Sequence, residues 1–475
     1  LPTARDATGR ARTNRYQNRK IPQEFGGTAA ERRDDIAGIP APAPMHRSFA
    51  AGEFEMLKAV LCTALTTLLA LPAHALTGKV VDAATGAPIA GSFVTLAGAS
   101  VQTDKNGAFQ IDGESGELRA RAYGYARAIQ TLVPGQAEPV LALKAFTPQG
   151  IYLSAYGISS LKLRNSALDV IKDTQINTLV IDVKTDSALV SYRSSVPLAG
   201  EIGAQKLVLM KDMPEMLARL RSQGIYTIGR IVTFKDTLLA QAHPELAVRN
   251  AKGEVWKDRE GLSWVDPFKS ETWDYNVALA EEAARMGFDE IQFDYVRFPD
   301  TRGLVFSKPN NEQNRVAAIN GLLATAQKKL APHNVFLSAD IFGYVAWNTN
   351  DTEIGQRITD IFTHVDYASP MLYPSGFQFG IPGCRDPVAN SHEIVYRTLE
   401  RARERAGVPA VRFRPWLQAF KDYAFDRRHF GAAELQQQIS AANRFGSGGY
   451  LLWNPRNVYA ADAIKTPPAT MTASN

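Results

Sequence analysis

From about residue 150 onward the apolar positions switch between two periods. Short stretches alternate apolar and polar at every second residue, and longer runs between them repeat every three to four. The period-two stretches predict eight strands: 151–156, 178–184, 226–234, 290–296, 335–342, 365–373, 413–420 and 449–454. The longer runs predict helices with their own end signals. Asp212 caps one, with Pro214 in its first turn, and Ser270 caps another that closes at Gly287. Further helices fall near 311–330, 351–362, 390–406 and 432–445. Strand–helix alternation at this count predicts an α/β fold, a (β/α)8 barrel over residues 148–465.

Residues 76–147 read differently. Short alternating strands are separated by Thr-Gly, Gly-Ala and Lys-Asn-Gly turns, which predicts a small all-β sandwich. The link to the barrel is four residues, 147–150, so the two domains should sit close together. Met56 opens a stretch with one Lys, an apolar run over 59–71 and Ala73-His74-Ala75. That is the three-part pattern of a secretory signal over 56–75, and its apolar run is shorter than the ~20 residues of a bilayer span. The expectation is a secreted or periplasmic protein without a stable membrane span. Residues 1–55 lack periodicity and read as a disordered or mis-assigned extension, and 466–475 as a disordered tail.

Strand parity selects the candidate chemistry. If Ile291 and Phe293 face the helices, Gln292 and Asp294 face the barrel axis. The same alternation sends Asp182, Lys184 and Asp186 inward, with Arg230, Ser338 and Asp340. The first strand offers Tyr152, Ser154 and Tyr156, and the seventh Trp416 and Gln418. Barrel interiors are normally filled by branched apolar side chains, and unpaired buried charges are costly, so this inventory predicts a site at the mouth. Tyr367, Tyr373, Trp453 and Asn454 extend it with aromatic and amide groups suited to carbohydrate, and Arg297, after the fourth strand, is a further candidate for binding substrate. Trp256 and Trp264, in the long loop after the third strand, are either sugar platforms or packing anchors. The bland alternative for Asp294 is a fixed ion pair with Arg297 or Arg230.

The stretch GFDEIQFDYVRFP (287–299), with VDPFKSETWDYNVALAEEAARMG upstream, resembles a bacterial family of glycoside-hydrolase-like barrels of largely unassigned function. The resemblance spans about 148–463 and implies a sugar-active site without naming a sugar. Residues 76–146 resemble the carboxypeptidase regulatory-like domain through the G-x-V-x-D start and the T-D-x-x-G-x-F stretch. Glycoside hydrolysis needs two carboxyl groups across the scissile bond. Asp294 and Asp340 end adjacent strands, which lie about 4.8 Å apart, near the roughly 5–5.5 Å separation of a retaining pair. By analogy with sugar barrels, Asp294 is the nucleophile and Asp340 the acid/base, though the roles could be exchanged. No strand end carries the Glu that many sugar barrels use, so Asp182 or Asp186 could replace Asp340, with Lys184 and Arg230 holding substrate oxygens. The alternative is a carbohydrate-binding envelope protein without catalysis.

Charge and composition narrow the classes further. The chain of 475 residues carries a net +5, and residues 76–475 hold only +2 of it. That balance argues against a nucleic-acid partner and leaves a polysaccharide or oligosaccharide. Of two cysteines, Cys62 falls in the leader and Cys384 has no partner. No histidine pair stands at metal-ligand spacing, no G-x-S-x-G elbow occurs and no cofactor motif is present, so neither metal nor cofactor is expected.

Overall fold

The computed structural model describes residues 75–465, apart from 134, 136 and 137. The segments 1–55 and 466–475, and all of the expected leader except Ala75, lie outside these residues.

Seven strands precede the barrel: β1 (Ala75–Asp82), β2 (Phe93–Leu96), β3 (Ala99–Gln102), β4 (Ala108–Asp112), β5 (Gly116–Arg121), β6 (Ala128–Leu132) and β7 (Val140–Leu143). They form two sheets, β4-β1-β7 and β3-β2-β5-β6. Val80, Val94, Leu96, Phe109, Ile111, Leu118 and Leu141 fill a core of their own between them.

Eight parallel strands then close a barrel in chain order: β8 (Gln149–Leu153), β9 (Thr178–Lys184), β10 (Tyr226–Val232), β11 (Glu290–Asp294), β12 (Phe336–Phe342), β13 (Tyr367–Met371), β14 (Trp416–Gln418) and β15 (Tyr450–Trp453). All eight coincide with predicted stretches, but several are shorter. β8 ends at Leu153 because Ser154 caps the next helix, Ala155–Ser159, accepting from the Gly157 N–H. β11 ends at Asp294 because Tyr295 takes a left-handed φ of +49°.

The helices Ser270–Met286, Glu312–Leu330, Ser391–Ala406 and Ala432–Phe445 surround the strands. Gly287 ends the first with φ +113°, a conformation that favours glycine. Two caps differ from expectation. Lys269, not Ser270, occupies the cap of that helix, and the Asp212 side chain makes no cap bond to its helix. The expected helix over 351–362 shrinks to Ile358–Ile361. Asp351 accepts instead from Arg315 and from the N–H groups of Glu353 and Gly355, which holds this stretch as a loop.

Strand parity follows the predicted alternation. Leu179, Ile181, Ile291, Phe293, Leu337, Ala339 and Ile341 pack outward with the helices. Tyr152, Val180, Tyr226, Ile228, Phe336, Tyr367, Trp416 and Leu451 pack inside. One residue departs. The β9–β10 register runs Arg230↔Asp182 and then Ile231↔Lys184, skipping Val183. The bulge puts Lys184 in step with outward-packing Ile231. Its ammonium is fully buried against Asp236 at 2.7 Å and over the Tyr275 ring.

The sandwich seals the N-terminal end of the barrel. Arg121 pairs with Asp366 at 2.6 Å and Arg127 with Asp289 at 2.7 Å. Gly124 N–H donates to the Tyr367 hydroxyl, and Phe146 stacks near Tyr226. Tyr367, expected among the sugar-facing aromatics, therefore sits at the closed base. Glu290 is there too, bound to Arg414 and Tyr226. With the base covered, the C-terminal mouth is the end of the barrel left for chemistry.

Candidate active site

A cavity of about 260 Å³ opens at the C-terminal ends of the strands. Asp294, Asp340, Arg230, Trp416 and Trp453 line it from the strands, and Tyr373 and Arg297 from the loops that follow.

Arg230 organises the charged wall. Its Nε and Nη2 both donate to Asp294 Oδ2, at 2.9 and 2.6 Å. Nη1 donates to Asp182 Oδ1 at 2.8 Å and Nη2 to Asp186 Oδ1 at 3.0 Å. One guanidinium thus faces three carboxylates, and it lies over the Trp453 ring at 5.0 Å. Trp453 stacks on Tyr152 with centroids 4.0 Å apart, and the Tyr152 hydroxyl donates to Asp182 Oδ2 at 2.8 Å. Asp182 stands behind Arg230 rather than on the cavity wall. Burial pushes its carboxyl up to about 6, against the opposing pull of Arg230.

Asp294 and Asp340 are held differently. Asp294 receives Arg230 on one oxygen and the Tyr295 N–H on the other, at 2.6 Å. The left-handed Tyr295 costs of order 1–3 kcal/mol, a kind of strain that clusters at functional sites. Asp340 is 2% exposed and accepts one bond, from Trp416 Nε1 at 2.7 Å. Burial, then the negative charge of Asp294, drives its carboxyl well above the usual range; Arg230 and the Trp416 bond oppose this. The same two carboxylates, after burial, also raise the Tyr373 phenol.

Other predicted residues lie elsewhere. Tyr156, expected to face inward, is exposed on the short helix after β8, because the strand ends three residues before it. Lys184 is removed from the axis by the bulge. Gln292 is fully buried one layer below the cavity, where its Nε2 donates to Ser369 and its Oε1 has no partner. Gln418 spends its amide on Ser375 and the Phe420 carbonyl, so it braces the loop behind Tyr373. Asn454 ties the Ala419 and Val458 carbonyls together. Asp186 is half-exposed at the rim, reaching the cavity only through Arg230. Trp264 is a packing anchor, 3% exposed, with Nε1 bonded to Asp258.

Strand periodicity missed another part of the wall. Tyr344, Phe377 and Tyr423 come from loops after β12, β13 and β14, and Met371 from the end of β13. Their aromatic content beyond a strand end was the available signal, but no period places a loop side chain.

Residues 150–459 match the family DUF4015, described as "Putative glycosyl hydrolase domain". The chain belongs to this glycosyl hydrolase-like family. Residues 75–144 match the carboxypeptidase regulatory-like domain. No curated protein sequence matches the chain. Among solved structures, a hypothetical protein from Ruminiclostridium thermocellum is 38% identical, covering 40% of this chain and 96% of its own, with a TM-score of 0.36. The PgaB (BpsB) glycoside hydrolase domain from Bordetella bronchiseptica is 11% identical over 68% of this chain and 100% of its own, TM-score 0.49. A class V chitinase from Pseudomonas fluorescens Pf-5 is 13% identical over 67% and 98%, TM-score 0.42. The glycosyl hydrolase-like segment contains the barrel strands, all but Gln149 at the start of β8, and every cavity residue named above.

Proposed function

We propose that the chain is an exported glycoside hydrolase that cleaves a polysaccharide or oligosaccharide by a retaining, two-carboxylate mechanism. One observation carries this reading: Asp294 and Asp340 line a single cavity in unlike surroundings. Arg230 donates two hydrogen bonds to Asp294. Burial, then the charge of its neighbour, raises the Asp340 carboxyl well above its usual range. Two carboxyl groups on one cavity, one of them buried and raised, fit the arrangement that acid–nucleophile catalysis uses.

In the first step Asp340 gives its proton to the leaving glycosidic oxygen. The Asp294 carboxylate attacks the anomeric carbon as the C–O bond breaks, forming a glycosyl ester. Water then attacks that carbon, the Asp340 carboxylate takes its proton, and Asp294 leaves as a carboxylate. Trp416 orients Asp340, and Trp453 and Tyr373 offer faces for the sugar ring. The leader-like stretch at 56–75 supports export, which fractionation of the native host tests directly.

A carbohydrate-binding role without turnover has one observation in its favour. Three hydrogen bonds already engage Asp294, which blunts a nucleophile. Hydrolysis separates the readings. The full chain should release reducing ends from a polysaccharide panel, and Asp294→Asn and Asp340→Asn should each lower the rate by about 10³-fold, ~4 kcal/mol of transition-state stabilisation. Binding without cleavage, unchanged in both variants, would favour the second role.

A further inference from the structure

Arg297 stands where the catalytic cavity meets a second cleft. With Tyr295 it lines both, and Trp256, Lys257, Asp258, Arg259 and Glu260 also line the cleft. Its guanidinium rests against two rings, 5.0 Å from Trp264 and 5.6 Å from Tyr295. One N–H bond is made, from Nη1 to the Phe298 carbonyl at 3.0 Å. The nearest carboxylate, Asp300, is 4.0 Å away and 77% exposed, too far and too wet to neutralise it.

The buried cations nearby are satisfied. Arg230 meets three carboxylates, and Lys235 sits against Glu260 at 2.5 Å and Asp258 at 3.4 Å. Arg259 and Lys257 are exposed on the cleft wall and make no ion pair among the described residues. The junction therefore carries a pre-positioned guanidinium with donors to spare and further positive charge beside it.

We propose that the substrate is an acidic glycan whose anionic substituent is bound by Arg297 as the chain passes from cavity to cleft. A planar guanidinium fork beside aromatic rings suits a carboxylate or a sulfate, each of which accepts two parallel N–H bonds. This inference rests on the carbohydrate reading of the site, but not on turnover.

Affinity electrophoresis of the full chain in gels containing polygalacturonate, alginate or hyaluronan, each beside its carboxyl-reduced form, tests it. Dextran sulfate against dextran distinguishes sulfate from carboxylate as the recognised group. Wild type should be retarded by at least one anionic polymer about tenfold more strongly than by its neutral counterpart. Arg297→Gln should lose that preference while binding the neutral form unchanged, and Arg297→Lys should keep part of it. If Arg297→Gln does not fold, Arg259→Gln, at an exposed position, must still reduce the preference. Equal retardation by both forms, retardation by none, or a preference that survives Arg297→Gln overturns the proposal. Failure of hydrolysis alone would instead overturn the enzymatic reading and leave the binding preference standing.

Discussion

Trp416 donates its indole N–H to Asp340 Oδ1 at 2.7 Å, across from β14 to β12. The bond fixes one oxygen of a carboxyl that lines the same cavity as Asp294. It also favours the ionised carboxylate, the only hydrogen bond acting against burial there.

Removing that bond has a predicted sign. With Asp340 as the acid, activity falls as pH rises through its raised pKa. Trp416→Phe deletes a bond that stabilises the anion, so the alkaline limb should move to higher pH, by up to about one unit. A limb that stays in place while kcat falls would make Trp416 a substrate platform only. The pH dependence of kcat/KM reads this.

Asp182 should make stability depend on pH. Its folded pKa, about 6, lies above the ordinary 3.8. Its contribution is therefore fully present below about pH 4 and is lost as pH rises through about 6. The change is on the order of 3 kcal/mol. Asp182→Asn should flatten this part of the profile, measured by denaturant midpoints between pH 4 and 7.

Arg230→Met should be the most damaging single change at the mouth. It leaves Asp182, Asp186 and Asp294 without their shared cation, a loss of about 3–5 kcal/mol expected for a broken buried pair. Arg230→Lys keeps the charge but not the fork, so it should fold better and still lose activity by 10²-fold or more, on the order of one lost preorganised contact. Wild-type kcat in Arg230→Lys would show that the fork is structural.

The sandwich should be an integral part of the barrel's stability. Arg121 and Asp366 are buried at 8% and 7% side-chain exposure. Arg121→Ala should cost about 3–5 kcal/mol because Asp366 is left uncompensated. The double variant Arg121→Ala/Asp366→Ala should recover part of that loss. A melt of Arg121→Ala that is unchanged, or that splits off only a small sandwich transition, would indicate that the two domains are energetically independent.

Much of the mouth was legible from alternation alone. Asp294, Asp340, Arg230 and Asp182 fall on the inward parity because outward positions such as Ile291 and Ala339 must pack against helices. Loop residues such as Tyr344, Phe377 and Tyr423 were not, because no repeat fixes the direction of a side chain outside regular structure.

The sequence by itself determined the eight strands, the closed barrel and the facing of most strand residues. Period-two burial is a local property that each strand carries. Tertiary structure decided the rest. A one-residue bulge took Lys184 off the axis, and a Ser154 cap ended β8 before Tyr156. The partners of the two carboxylates also depended on tertiary contacts: Arg230 reaches Asp294, and Trp416 reaches Asp340. Charge states and registers arise from contacts between strands far apart in the chain, and no local pattern encodes them.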